Sequence, residues 1–324
     1  MSEKGKVGNI VRVQVDGLVA LKIIKHCQEE GSSTEMINGF LVGLVVKDTV
    51  EITDCFPVPA VEEDTETYQM DMLRNLRKVN VDYHTVGWYQ STYLHSHINK
   101  EFLENHRKYQ EVNEESIVLV YDPLRTTQGI LSLRAFRLTP LILDMLLRNF
   151  NFTPESVQGT ELYHMDLFEE LPVFVRNSRL QNVLLSELEQ KMPTTENCYD
   201  FLSLATNNVL VCNMQLLMSG VDMLYQDTNR LVSYEKNVAK QLQMKQQFIQ
   251  KRHEENLRRK SRGEPPLPDP EEVVDKELNL KPPVAPPRLD SLLLKQQVES
   301  HCDQAHKFAS QGISKLYLAE SFQR

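Results

Sequence analysis

Cysteine, glycine and long apolar runs are all scarce in this 324-residue chain, and each shortage closes off a class of function. The five cysteines, Cys27, Cys55, Cys198, Cys212 and Cys302, are odd in number, scattered and never spaced C-x-x-C. Neither a disulfide framework nor a zinc ribbon is expected, and the compartment reads as reducing. Twelve glycines are too few for a glycine-fingerprint nucleotide enzyme, and no P-loop, G-x-G-x-x-G, G-x-S-x-G or H-E-x-x-H occurs. The strongest apolar run, Phe40 to Val46, is far below membrane-span length, and Met1 to Gly5 leads into no apolar leader region. The expectation is a soluble, unexported, cytoplasmic protein with no membrane contact.

Positive charge is also in deficit. Lys and Arg number 36 against 45 Asp and Glu, a net charge of −9, so the whole chain is a poor polyanion binder and any nucleic-acid contact must be local.

What is present divides the chain. From Val11 to about Thr139 short strands and helices alternate in mixed order, as in a compact α/β or α+β domain. Strands are expected at Val11 to Val15, Phe40 to Val46, Val50 to Val58, Thr85 to Tyr89, Ile117 to Tyr121 and Ile130 to Leu138. Helices are expected at Leu18 to Glu29, Tyr68 to Val79 and Asn99 to Glu111. Between Leu141 and Asn207 two strand candidates, Leu162 to Phe168 and Val173 to Val175, precede a helical stripe at Val183, Leu184 and Leu188. We read this stretch as an extension of the first domain. The boundaries are then 1–10 for a flexible N-terminus, 11–140 for the core and 141–207 for its extension. They continue as 208–262 for one long helix, 263–288 for a Pro-rich linker and 289–324 for a terminal helix.

The long helix has a 3.5-residue repeat. With Leu210 in the first position, the seam holds Leu210, Met214, Leu217, Val221, Leu224, Leu231, Val238, Leu242 and Ile249, nine apolar residues in twelve seam positions. The terminal helix, expected to open with Asp290 as N-cap, carries Leu294, Val298, Cys302, Ala305, Ala309, Ile313 and Leu316 along one face. Both stripes ask for a partner: helices of other subunits, a local two-helix hairpin or a homodimeric coil. Eight Lys/Arg against two Glu between Lys240 and Arg262 make that helix end basic. Lys251, Arg252, Arg258, Arg259, Lys260 and Arg262 either reach RNA phosphates or simply complement the macrodipole of a solvated helix end. Pro283 to Arg288 fits a P-x-x-P-x-R ligand for SH3-like grooves, a pattern common by chance.

Three stretches carry a family resemblance. Val86-Gly87-Trp88-Tyr89-Gln90-Ser91-Thr92 resembles the V-G-W-Y-H-S-H strand end of the MPN/JAMM metalloprotease family. Met36 to Gly43 is similar to the family's E-V-M-G-L-M-L-G, and Val120-Tyr121-Asp122-Pro123 through Phe136-Arg137-Leu138 to its V-x-D-P…G…A-F-R-L. The resemblance implies an α+β MPN domain: a mixed β-sheet with flanking helices, here followed by long C-terminal helices that join a multisubunit helical bundle. It also places the lost chemistry. The two histidine ligands fall on Gln90 and Thr92, the serine on Lys100, the aspartate ligand on Leu103 and the upstream glutamate base on Met36. Zinc hydrolysis needs three good ligands, an open position and a base, and none of these five side chains supplies one. No metal, no cofactor and no catalysis are therefore expected. Two near misses remain. Glu35 is one residue from the base position, a slip that turns it to another face. His95-Ser96-His97 is a displaced H-S-H, either a zinc site completed by Glu101 or Glu104 or merely two exposed loop histidines.

Within the family, the inactive V-G-W-Y-Q-S-T, the Gln-rich basic helix and the Pro-rich linker resemble an MPN subunit of eukaryotic translation initiation factor 3. That resemblance implies a scaffold that pairs with the factor's other MPN protein, its F subunit, and sends its helices into a bundle with PCI-domain subunits. Through the complex it would meet the small ribosomal subunit and support recruitment of initiator tRNA and mRNA. The rival readings are a zinc-dependent deubiquitinase or deneddylase at His95-Ser96-His97, and an MPN scaffold of the proteasome lid or signalosome.

Overall fold

A computed structural model describes residues 10–30, 36–58, 65–94, 96–127, 131–148, 150–160, 162–191, 207–262 and 283–323. The expectations for residues 1–9, Glu35, His95, Cys198 and the linker between 263 and 282 lie outside the described residues.

Eight strands form one mixed sheet. They are β1 (Arg12–Asp16), β2 (Asn38–Val46), β3 (Thr49–Pro57), β4 (Thr85–Ser91), β5 (Ile117–Tyr121), β6 (Leu133–Leu138), β7 (Phe168–Leu171) and β8 (Val173–Arg176), in the spatial order β7-β6-β5-β4-β2-β3-β1-β8. Nine helices are described: α1 (Gly17–Glu30), α2 (Thr65–Lys78), α3 (Lys100–Val112), α4 (Pro123–Thr127), α5 (Pro140–Leu147), α6 (Pro154–Thr160), α7 (Arg179–Lys191), α8 (Asn207–Arg262) and α9 (Leu289–Gln323). The chain divides into two units. One comprises Met1–Phe150, Leu162–Gly220 and Leu292–Arg324; the other comprises Asn151–Glu161 and Val221–Ser291.

In the first unit the central strands are apolar at successive positions because both sheet faces are covered. On one face Val13, Val15, Leu41, Ile52 and Tyr89 join Val19, Ile23 and Cys27 of α1 in a buried cluster. On the other, Phe40, Val42 and Phe56 pack against Tyr68, Met72, Leu73 and Leu76 of α2 and Tyr109 of α3. Lys47 closes the β2–β3 hairpin with a left-handed φ of 57°, the turn anticipated at Lys47-Asp48-Thr49.

The sheet's two outer strands come from consecutive stretches of chain. β7 pairs antiparallel with β6 at one edge and β8 pairs parallel with β1 at the other. Only Pro172 separates them, and its carbonyl accepts the Val13 N–H at 3.0 Å. The sheet therefore curls until its edges meet at one residue. Proline suits this place, since it has no N–H to leave unpaired.

Three local expectations are corrected. Leu162 to Phe168 is not a strand: His164–Asp166 forms a 3-10 turn in which the Asp166 carboxylate accepts the Tyr163 N–H at 3.0 Å, and pairing starts only at Phe168. The short helices α4, α5 and α6 lie where no helix was expected; α5 starts on Pro140, whose missing N–H costs nothing in a first turn. The last helix begins at Leu289, so Asp290 lies in its first turn and favours the positive helix end rather than capping it.

The long helix runs as one element over Asn207–Arg262, and its buried seam lies one residue from the expected phase at every second position. Asn213 and Gly220 are buried, and Asp227, Tyr234, Gln241 and Phe248 are half-buried, whereas Met214, Val221 and Leu242 are 40%, 49% and 54% exposed. On α9 the buried positions include Leu292, Leu293, His301, Gln304 and Phe308; the expected Cys302 and Ala309 face outward.

Candidate functional site

The site inherited from the fold sits where β4 ends, and the local chain explains its shape. Trp88 and Gln90 alternate onto the face that α3 covers, while Tyr89 points to the α1 side. There its hydroxyl bonds His26 Nδ1 at 2.8 Å, and His26 Nε2 bonds Glu30 at 2.9 Å. A side chain on Gly39 would run into the Tyr89 ring, which accounts for glycine in the second of the three family-like stretches.

The side chains at the five positions that the resemblance assigns to the ligands and the base make other contacts or none. The Gln90 amide donates to the Met36 sulfur at 2.9 Å, so the first ligand position and the base position satisfy each other. Thr92 is buried and its hydroxyl has no partner among the described residues. Lys100 is exposed and paired with Glu104 at 3.8 Å. Leu103 is 1% exposed, on the buried face of α3. Among the described residues, no group of three or more His, Cys, Asp or Glu is placed to hold a metal ion. Asp122, the family-like aspartate before Pro123, accepts the Leu124 N–H at 3.0 Å and so caps the turn into α4.

The displaced histidines resolve in part. His97 is not an exposed loop residue: it is 1% exposed, with ring contacts to Phe102 at 5.3 Å and Phe136 at 5.4 Å. The loop that carries it is pinned at both ends. The Thr92 N–H donates to the Tyr121 carbonyl at 2.8 Å, Leu94 is buried with a left-handed φ of 49°, and the Ser96 hydroxyl donates to the Tyr93 carbonyl at 2.7 Å. Tyr93 also hydrogen-bonds the Cys212 side chain of α8, and burial with that bond holds its phenol above the ordinary range. Cys212, in the second turn of α8, thus lies beside the loop that follows β4.

Sequence reasoning missed His106. It is fully buried on α3, and its Nδ1 accepts the Trp88 indole N–H at 3.2 Å. Because indole nitrogen only donates, this bond places the neutral ring's proton on Nε2. Burial, aided by the Arg137 cation, pushes its pKa down to about 3. The unfolded chain takes up this proton near pH 6.5 and the folded chain does not, so stability is full above pH 6.5 and falls as the pH drops towards 3. At about 1.4 kcal/mol per pH unit, the loss from this group is roughly 2 kcal/mol by pH 5. His106→Leu is expected to flatten the midpoint of urea unfolding against pH between 6.5 and 4.5; equal slopes in the two proteins would refute the assignment. Cys27 and Cys55 are not nucleophile candidates, because burial pushes their thiols up to about 11 and about 12.

The C-terminal helices meet through polar groups. In the first unit the Asn213 amide donates to the His301 carbonyl at 3.2 Å while its oxygen bonds His301 Nδ1 at 3.0 Å. Gly220 gives Val298 room: a Cβ there would lie 2.8 Å from the valine methyl. Of the expected partner-facing residues, Leu210, Leu217, Leu224, Leu231, Val238, Ile249, Leu294, Val298 and Ala305 are half-buried. Met214, Val221, Leu242, Ile313 and Leu316 are exposed. In the second unit the Ser291 hydroxyl donates to Asp227 at 3.4 Å, and the Arg288 N–H to the Phe152 carbonyl at 2.9 Å. That bond holds the end of the P-x-x-P-x-R segment through the Arg288 backbone.

The cations at the end of α8 are of two kinds. Arg259 pairs with Glu255 at 3.5 Å and Arg252 lies over the Phe248 ring at 5.4 Å, both half-buried. Lys251, Arg258, Lys260 and Arg262 are exposed and have no ion pair among the described residues.

No described helix is long and apolar enough to cross a membrane. Comparison with known proteins finds two family patterns in order along the chain. "JAB1/Mov34/MPN/PAD-1 ubiquitin protease" matches residues 9–115, and "C-terminal region of eIF3h" matches residues 126–324. The H subunit of eukaryotic translation initiation factor 3 from Xenopus laevis is 46% identical, over 97% of this chain and 94% of its own. The same subunit from Nematostella vectensis is 44% identical over 99% and 97%, and that from Culex quinquefasciatus 39% over 96% and 92%. The MPN-type pattern over residues 9–115 is thus followed by this subunit's C-terminal region over residues 126–324, and the chain belongs to the family of the H subunit of eukaryotic translation initiation factor 3.

Proposed function

We propose that this chain is a non-catalytic scaffold of eukaryotic translation initiation factor 3. Its MPN domain pairs with the factor's F subunit and its C-terminal helices enter a bundle with the PCI-domain subunits. Through the assembled factor, in the cytoplasm, it supports small-ribosomal-subunit binding and the recruitment of initiator tRNA and mRNA. No metal and no cofactor take part. The observation that carries this reading is Leu103: at a position that the family resemblance assigns to a metal ligand stands a leucine, 1% exposed, whose side chain has no atom able to ligate. Support for an assembly role comes from apolar residues left outside on both long helices, Met214, Met218 and Val221 on α8 and Ile313, Leu316 and Tyr317 on α9. Tyrosine and methionine on such a face are common interface anchors.

Affinity purification of the tagged full chain, with mass spectrometry of the partners and zinc analysis of the eluate, tests it. The expected result is the set of initiation-factor subunits and no stoichiometric zinc. Ile313→Asp/Leu316→Asp/Tyr317→Asp should shed the PCI-domain subunits, because three carboxylates cannot be buried unpaired. Recovery of proteasome-lid or signalosome subunits instead, or one zinc per chain with cleavage of an isopeptide-linked substrate, would overturn the proposal.

A further inference from the structure

The exposed cations of α8 are arranged more regularly than a solvated helix end requires. At 100° per residue, Lys240, Lys251, Arg258 and Arg262 fall within about 40° of one another, along about 33 Å of helix. All four are exposed and none has an ion pair among the described residues. The half-buried Arg252 and Arg259 are already engaged by Phe248 and Glu255. A helix macrodipole rewards cations only within the last turn, which accounts for Arg259, Lys260 and Arg262 but not for Lys240 or Lys251. The stretch from Lys240 to Arg262 has a net charge of +6 in a chain of −9. The cations are therefore concentrated in one place.

We propose that this stripe of α8 binds the phosphodiester backbone of RNA. Arg258 and Arg262, one helical turn or about 6 Å apart, flank a shallow groove of about 430 Å³ with Lys251, Glu254, Glu255 and Arg259. Their guanidinium groups suit bidentate phosphate contact. An acidic protein surface is the other polyanion to weigh, and the stripe's composition disfavours it. Protein interfaces are anchored by buried aromatic or aliphatic residues, whereas the residues between these cations on the same face include Gln247 and Glu255 with Met244 as the single apolar side chain. Amides beside cations suit contact with phosphate and sugar hydroxyls. Glu254 and Glu255 oppose tight, general polyanion binding and restrict it to this one stripe. The inference deepens the reading of the chain as a ribosome-associated subunit, and its test does not pass through the assembly.

The test is fluorescence anisotropy of a labelled 20-nucleotide oligouridylate with the purified full chain, titrated between 50 and 200 mM salt. Wild type is expected to bind with a steep inverse dependence on salt. Lys251→Gln/Arg258→Gln/Arg262→Gln keeps good helix formers, so its circular dichroism should not change. Its affinity should fall at least tenfold at 50 mM salt, and the log–log salt slope should become shallower by about 2. A charge-matched control, Lys25→Gln/Lys78→Gln/Lys307→Gln, should keep wild-type binding. Three results would overturn the proposal: no wild-type binding at 50 mM salt, equal loss in the two triple variants, or oligoglutamate of the same length binding as tightly as the RNA. Co-purification of the triple variant with its usual subunits keeps this outcome separate from that of the scaffold reading.

Discussion

Leu103→Asp is expected to destabilise the sheet-bearing unit by about 4 kcal/mol or more, because it places an unpaired carboxylate where a leucine is 1% exposed. For a unit of this size that corresponds to a fall of about 10 °C in the thermal midpoint, measurable by circular dichroism. The experiment has a second use. Met36→Glu/Gln90→His/Thr92→His/Leu103→Asp restores every family-like base and ligand residue save the one at Lys100. The expected outcome is still a destabilised protein, since the buried face of α3 packs around leucine at this position. If the quadruple variant were as stable as wild type and took up one zinc per chain, the site would have to be regarded as dormant rather than dismantled.

Gly87→Ala is the other substitution with a large expected effect. Gly87 pairs with Ile117 in the parallel β4–β5 register, and a Cβ on it would drive into the Ile117 carbonyl oxygen. Backbone cannot rotate aside as a side chain can, so the two strands must part. A cost of about 3 kcal/mol is expected, with loss of amide-exchange protection across β4 and β5. Gly159→Ala, where nothing lies within 4 Å of the new methyl, is the control and should leave stability within about 0.5 kcal/mol. Equal stability of the two variants would mean that the pairing at Gly87 is looser than its geometry indicates.

Much of the first unit was legible in the residues because its strands are apolar runs bounded by turn signals, and because three family-like stretches fell in order around β2, β4 and β5–β6. What escaped reading shares a physical cause. The phase of the α8 seam is set by Asn213, hidden through two bonds to His301, and by Gly220, hidden because it lets Val298 approach. A count of apolar residues sees neither. His97 and His106 were opaque for the same reason: aromatic rings and a tryptophan N–H make a place for imidazole in a core, and no spacing rule announces it. The 3-10 turn at His164–Asp166 depends on an aspartate reaching back three residues, a contact that outweighs the strand preference of the residues around it. Which residues stand at the positions that the resemblance assigns to metal ligands, by contrast, is read directly, since it is a matter of residue identity.

The placement of β7 and β8 has a consequence for how the chain is made. Until residue 176 has left the ribosome, β1 and β6 both present bare hydrogen-bonding rims to solvent. About four residues on either side of Pro172 then seal both rims in a single late event. A chain ending before that point keeps two open sheet edges, the kind of surface that templates aggregation, whereas one that extends past residue 176 contains all eight strands of the sheet.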